Sequence, residues 1–507
     1  VKFTRLSGFG LVALLGGCMV GPDYQRANAP LAQQFKEQPP EGWANATPSD
    51  AAPKGDWWTE FHDPLLDQLE PQVEVSNQSV RQSYANYQQA VAEVKVARAQ
   101  LFPVLGLTAS GTRSGGNSAS TGRSGVTTTT ATGGVTTSGR TTGSVINSGS
   151  LQGTASWTLD IWGQIRRLIE ENSAVAQADE ATLANATLSE QTLLATSVIE
   201  LRLADANIGL EEKTVAAYQE TLRVVAAQGN AGIAATPPSA VVTAQVQLET
   251  EQATLIGLGV ARAQYAHAIA VLVGKTPEEL EIPRTDVMPT LPQIPAGVPS
   301  LLLQRRPDIA AAERTMKAQN AAIGVAIAAY YPTISLSGAA GFTQAPLSGL
   351  LHKANYAWSL GANATETVFD FGERAGEVEA ARAVYDSSVA SYRNTVLTAF
   401  EEVENDLSGL RILQIQASAL DKAVNDAIRG TQIAFLEFQA GTVDYTTVVV
   451  AQTTQLSDQR SALAVQQSRL LAAVSLISDL GGGWSNSSLH DPADPKTLPP
   501  DPTEPSH

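Results

Sequence analysis

Between Arg305 and Phe342 the apolar positions change period. Ala311, Ala318, Ala322, Val325 and Ala329 recur at helical spacing. Beyond Tyr331-Pro332, Ile334, Leu336, Gly338, Ala340 and Phe342 alternate with Thr333, Ser335, Ser337, Ala339 and Gly341. This predicts a long helix running straight into a strand. Pro332 suits the junction, because it stops helical hydrogen bonding and is tolerated at the first position of a strand. The same event occurs from Ala90 to Gly111, with Phe102-Pro103 at an offset of 229 residues. Trp157 to Gly163 and Val368 to Gly372 form a second pair, both strand ends leading into long helices. Leu272-Val273-Gly274 and Leu480-Gly481-Gly482 form a third, at an offset of 208. The falling offset places a longer loop between the two strands of the first copy. The chain reads as an internal duplication of helix, strand, loop, strand, helix, turn and helix.

The individual segments follow. Asp63 is the predicted N-cap of the first long helix, with Pro64 at its first position. Leu66, Leu69, Val73 and Val80 mark its narrow apolar stripe, which continues to Phe102. Thr112 to Gly149 is almost wholly Gly, Ser and Thr, and is expected to be the surface loop of a barrel. In the second strand Leu151, Gly153, Ala155, Trp157, Leu159 and Ile161 alternate with polar residues. That is the apolar-out, polar-in pattern of a membrane barrel, with Trp157 suited to an interfacial girdle. A soluble sandwich would show the same alternation. The fourth strand, expected over Tyr356 to Phe371, alternates through Trp358 and slips phase near Glu366, as at a bulge. Gly163 to Gln228 is expected to be one helix on the order of 100 Å long, and Ser239 to Leu272 its antiparallel return. Glu373 to Ala440 and Tyr445 to Leu480 repeat the scheme.

The expected layout is therefore a signal segment (1–17), an extended N-terminal arm (18–62), a first repeat (63–275), a Pro-rich connector (276–299), a second repeat (300–483) and a disordered tail (484–507). Lys2 and Arg5 precede the short apolar run Leu6 to Leu15, which has the shape of a signal peptide. Such a run is too short for a spanning helix of roughly 20 residues. Leu15-Gly16-Gly17-Cys18 resembles a bacterial lipobox, in which Cys18 would carry covalent lipid. Cys18 is the only cysteine of 507 residues, which excludes a disulfide framework. Removing residues 1–17 moves the formal charge from −17 to −19, so nucleic acid is not an expected partner. No later apolar run predicts a transmembrane helix, so a membrane span requires a closed barrel. Catalytic chemistry is missing: none of the five histidines pairs at metal-ligand spacing, no cofactor motif is complete, and neither a catalytic residue nor a metal site is assigned.

The duplicated pattern resembles the TolC-like outer-membrane efflux proteins, in the lipoprotein branch that serves resistance-nodulation-division (RND) pumps. The residues carrying it are Cys18 to Tyr24, Leu303 to Asp308, Ala312-Glu313-Arg314, Ile323 to Ala326, Tyr331-Pro332, Phe369 to Gly372 and Leu480 to Trp484. The resemblance implies an α+β membrane protein with four strands per chain. Three chains would form a homotrimer with a twelve-stranded transmembrane β-barrel continuing into a long periplasmic α-helical barrel. It also implies a passive exit duct, lipid-anchored in the outer membrane and fed by a periplasmic adaptor protein and an inner-membrane RND pump. Trp157 and Trp358 would face lipid. The family's periplasmic gate lies at the helical turns, which here points to Asp444, Thr447 and Val450. Relatives often carry an acid where Val450 stands, so a mixed ring of valine and carboxylate is expected. The rival readings are a duct for protein secretion and a structural lipoprotein spanning the periplasm.

Overall fold

The computed structural model describes residues 19–29, 34–37, 40, 56–116, 144–232, 237–294, 302–344 and 349–492. The signal segment, Cys18 and most of the long Gly/Ser/Thr loop lie outside these residues. The first copy comprises α1 (Pro64–Ser76), α2 (Gln78–Ala99), β1 (Val104–Gly116), β2 (Ser144–Leu159), α3 (Gln164–Asn230) and α4 (Pro238–Leu272). The second comprises α5 (Leu302–Arg305), α6 (Pro307–Ala328), β3 (Thr333–Gln344), β4 (Tyr356–Thr365), α7 (Glu373–Gln439) and α8 (Tyr445–Asp479). Three helix pairs match in length: α2 and α6 each have 22 residues, α3 and α7 each 67, and α4 and α8 each 35.

The chain divides into two compact units. The first contains residues 19–23 and the segments around the strands, within 95–170 and 321–382. Its four strands form one antiparallel sheet in the order β1-β2-β3-β4. Residues 112–116, expected to be loop, pair instead with 144–148 as the upper part of the β1–β2 hairpin. Gly, Ser and Thr give no apolar signal, yet backbone pairing does not need one, and Ser110 and Ser150 add a cross-strand hydroxyl contact of 2.8 Å. β4 ends at Thr365 and does not run to Phe371. The phase slip near Glu366 is the end of the strand and not a bulge. Beyond it, Asp370 accepts hydrogen bonds from the backbone N–H groups of Gly372 and Arg374, at 3.1 and 3.4 Å, and so prepares the start of α7.

The second unit contains the other described residues and the main core. Leu66, Leu69, Val73 and Val80 are all buried, as their spacing predicts. They meet Leu194, Val198 and Leu201 of α3, Ile269 of α4, Val396 and Val403 of α7 and Val474 of α8. The first helix is not continuous, however. Asn77 interrupts it, taking the N–H groups of Ser79 and Val80 at 2.8 and 3.2 Å and donating to the Leu272 carbonyl at 2.9 Å. It thereby starts α2 and ties off α4 together. The arm has no regular secondary structure at residues 24–29 and 34–37, where Glu37 pairs with Arg411 and Tyr24 donates to Glu313 at 3.0 Å. Farther along, Trp57 to Phe61 form a 3₁₀ helix whose Trp57, Trp58 and Phe61 enter the core.

The helix ends repeat more closely than the sequence match indicates. Gly274 corresponds to Gly481, an offset of 207, and both have positive φ, 69° and 97°. A side chain on Gly274 would meet the Ser76 carbonyl at 2.3 Å, and one on Gly481 the Arg305 carbonyl at 2.2 Å. Only glycine admits both the conformation and the approach. Residues 484–492, expected to belong to a disordered tail, are ordered. Glu180 receives the backbone N–H of His490 at 2.9 Å and also contacts its imidazole Nδ1. This partner lies 310 residues away, beyond the reach of a compositional reading.

Candidate channel surfaces and gate

The sheet has two chemically distinct faces. Residues opposite one another in register project to the same side, and alternate residues project to opposite sides. Leu107, Gly153, Ala340 and Trp358 therefore share one side, as do Trp157, Leu336 and Ala362. With Leu105, Leu151, Leu159, Ile334, Phe342, Tyr356 and Leu360, every large side chain of this face from the helix end up to the Phe342–Tyr356 row is apolar or aromatic, and Arg113, Asn147 and Gln344 follow beyond that row toward the loop. The other face carries Thr108, Gln152, Thr154, Ser156, Ser335, Ser337, Ser359 and Asn363. The apolar side chains are not packed away: Leu105, Leu107, Trp358 and Leu360 are between 68% and 80% exposed. In water such a surface would be unstable; in hydrocarbon it is the expected one.

Aromatic rings mark both ends of this band. Trp157 stands opposite Leu336 near the helix end, while Phe342 and Tyr356 pair near the loop end with ring centroids 5.6 Å apart. The two rows are six residues apart, about 20 Å along a strand, comparable with the ~25 Å apolar band of barrels. Trp358 lies between them, nearer the loop end. Trp157 donates its indole N–H to the Leu101 carbonyl at 2.9 Å, so its polar edge is satisfied.

Below the sheet, each long helix begins with an aspartate clamped by an arginine. Asp160 accepts from the N–H groups of Ile165 and Arg166, at 2.9 and 3.0 Å, and from Arg166 Nε at 3.0 Å. Asp370 holds Arg374 in the same manner, and that hydrogen bond keeps the Asp370 carboxyl below its usual range. Neighbouring Arg167 reaches the N-terminal segment, donating to the carbonyls of Val20 and Gly21 and to Asp23. Gly21 lies so close to Gly324 that a Cβ on Gly21 would stand 2.5 Å from the Gly324 Cα. Periodicity had not marked these arginines. The signal was an Asp followed by Arg after each strand.

The α7–α8 turn holds the gate candidates. Asp444 is the N-cap of α8, accepting from Thr447 N and Thr447 Oγ1, both at 3.1 Å. Asp444, Thr447 and Val450 lie at successive three-residue steps and all are exposed, Val450 at 60%. Tyr445 and Val448, on the opposite side, are buried with Phe438 of α7, Val225 of α3 and Ala240 and Ala244 of α4. The structure therefore brings the three candidates onto one surface stripe of each chain. It also commits the Asp444 carboxylate to capping. Farther along, Arg460 of α8 pairs with Glu211 of α3 and lies 3.4 Å from Glu251 of α4. Burial, and then Glu211, raise the Glu251 carboxyl above its ordinary range. This bridge joins residues too distant in sequence to be paired by reading.

By length and composition alone, α4 is apolar enough to cross a membrane, though its apolar run is not uninterrupted. Thr, Gln and Glu divide it. Val242, Val246, Ile256 and Val260 are between 57% and 78% exposed.

Comparisons with known proteins agree with this geometry. The family described as "Outer membrane efflux protein" matches residues 69–275 and 298–482. The probable efflux pump outer membrane protein TtgC of Pseudomonas putida is 30% identical over 93% of this chain and 94% of its own. The cation efflux system protein CusC of Escherichia coli is 28% identical over 95% and 99%. Among solved structures, the outer-membrane channel OprN superposes with a TM-score of 0.80 at 28% identity, covering 92% of this chain and 100% of that one.

Proposed function

This chain belongs to the outer membrane efflux protein family and is the outer-membrane channel component of an efflux system; we propose that it works as a homotrimeric passive duct for small molecules. The observation that carries the proposal is the two-faced sheet with both outer edges open. β1 and β4 each pair on one side only among the described residues. An open edge in hydrocarbon leaves backbone groups unpaired at several kcal/mol each. Four strands are too few to close, since the smallest membrane barrels have about eight. Three copies joined edge to edge give twelve strands, with the Ser/Thr/Gln face lining the pore and the Leu/Trp face meeting lipid.

The helices support the same assembly. The exposed Val and Ile residues of α4 form an apolar surface that a neighbouring copy would cover. The energy for transport comes from an inner-membrane RND pump, with a periplasmic adaptor protein between pump and duct, and this chain acts without catalysis. A covalent lipid on Cys18 fits the lipobox. Met19 lies against Gly163, and Val20 donates to the Trp162 carbonyl at 3.1 Å, so an anchor would enter at the foot of β2. The test is the mass of the detergent-solubilised protein by light scattering, together with conductance in planar bilayers. A trimer that conducts supports the proposal. A monomer that does not conduct overturns it.

A further inference from the structure

The two copies differ in how they satisfy one arginine. Arg262 and Arg469 stand at the same position of α4 and α8, and Asp205 and Gln414 at the same position of α3 and α7. Arg262 donates from Nε to Asp205 at 2.6 Å and from Nη2 to the Ile282 carbonyl at 2.9 Å. Asp205, fully buried, also receives the backbone N–H of Thr285 at 3.2 Å, so this pair ties the connector to α3. In the second copy the carboxylate is replaced by the Gln414 amide. Arg469 makes no hydrogen bond or ion pair among the described residues, and its Nε is buried. A guanidinium keeps its charge at any ordinary pH, so half-burying it without an acceptor is costly.

Arg469 lies on the wall of a cavity of about 570 Å³ between α3, the connector, α7 and α8. That volume is in the range of small-molecule sites. Two acids and two cations line it. Asp286 is held by Arg284, 3.4 Å away, a guanidinium that it shares with Glu212. Lys213 of α3 offsets Asp421 of α7, which leaves Arg469 as the cation without a counter-ion. Leu210, Leu291 and Leu463, from α3, the connector and α8, supply apolar wall.

We propose that this cavity binds a small organic carboxylate. Its carboxylate pairs with Arg469 as Asp205 pairs with Arg262, and its hydrocarbon part lies against Leu210, Leu291 and Leu463. The planar fork of a guanidinium matches a carboxylate in two parallel hydrogen bonds, and the leucines favour an organic acid over a bare anion. The bound molecule would replace the internal carboxylate that the second copy lacks, and would join α8 to the connector and α3. Because only the folded chain holds the cavity, occupancy stabilises it.

The experiment is a calorimetric titration of the assembled protein in detergent with benzoate, using matched micelles as the blank. The cavity is built within one chain, so the result does not rest on the oligomeric state. Benzoate should bind saturably to the wild type, and Arg469→Gln should weaken binding by about tenfold or more. Gln414→Asp restores the first copy's arrangement. It should likewise weaken binding by about tenfold or more, while raising the thermal unfolding midpoint. This second variant carries the test by itself should Arg469→Gln fail to assemble. Inorganic phosphate should compete much less well than benzoate. Absence of saturable binding to the wild type, binding unchanged in Arg469→Gln or in Gln414→Asp, or equal competition by phosphate overturns the proposal.

Discussion

Arg202 grips Asp63 through two hydrogen bonds, Nε to Oδ2 at 2.7 Å and Nη2 to Oδ1 at 3.1 Å, with both side chains buried. The same carboxylate caps α1 through Leu65 N at 2.7 Å. One aspartate thus starts the first helix and fixes it to α3. Asp63→Ala should destabilise the chain by about 3–5 kcal/mol, because it strands a buried guanidinium as well as removing the cap. Asp63→Ala with Arg202→Leu should cost less than the sum of the two single changes. Denaturant unfolding of the four proteins measures the coupling, and strict additivity would sink the account.

Leu336 and Ser337 are neighbours in β3 on opposite faces of the sheet. Leu336→Arg places a charge against lipid and should cost about 2–4 kcal/mol of barrel stability. Ser337→Arg faces the pore, should cost within ~0.5 kcal/mol, and should shift ion selectivity toward anions. Heat resistance of the assembled protein and bilayer recordings report the two effects. The face assignment fails if Ser337→Arg is the more damaging change.

The turn stripe gives a third prediction. Val450 is an exposed apolar residue beside a carboxylate already engaged in capping. Val450→Asp should wet the constriction and raise the resting conductance, whereas Asp444→Asn should leave that conductance low and reduce cation selectivity. Unchanged recordings from both variants would place the gate elsewhere along the helices.

Glu70 on α1 is fully buried, and neither of its carboxyl oxygens has a partner. Burial pushes it up to about 9. As a raised acid, it contributes most below the ordinary carboxylate range, and that contribution is lost as pH rises toward 9, at about 1.4 kcal/mol per pH unit. Glu70→Leu should therefore stabilise the chain more at about pH 9 than at about pH 5. Unfolding midpoints at the two pH values test this, and an equal gain at both would refute the buried neutral acid.

The duplication, the two faces of the sheet and the Asp63 cap were legible because each is a local or periodic property. The second strand needs only alternate residues to declare its faces. What escaped reading depends on distant polar partners. Asn77 looks like any helix residue until Leu272 needs a donor. In α6 the buried face includes Glu313 and Asn320, so an apolar count picks a different stripe: of the alanines and valine marked in the sequence, Ala318 is fully buried. Glu313 is stabilised there by Tyr24, 289 residues away. The gate candidates were identified through a family resemblance, and the structure adds that Asp444 has a local structural duty.

The matched lengths of α3 with α7 and α4 with α8 have a developmental consequence. The tip cluster draws on all four helices, combining Val225, Ala240, Phe438 and Tyr445. One residue inserted in a single long helix would slide its turn by about 1.5 Å past the other and rotate its contacts by about 100°. Reach is therefore a hereditary quantity held in duplicate. Lineages can lengthen or shorten this tube when both halves change in step, while a lone insertion is caught by its unaltered twin.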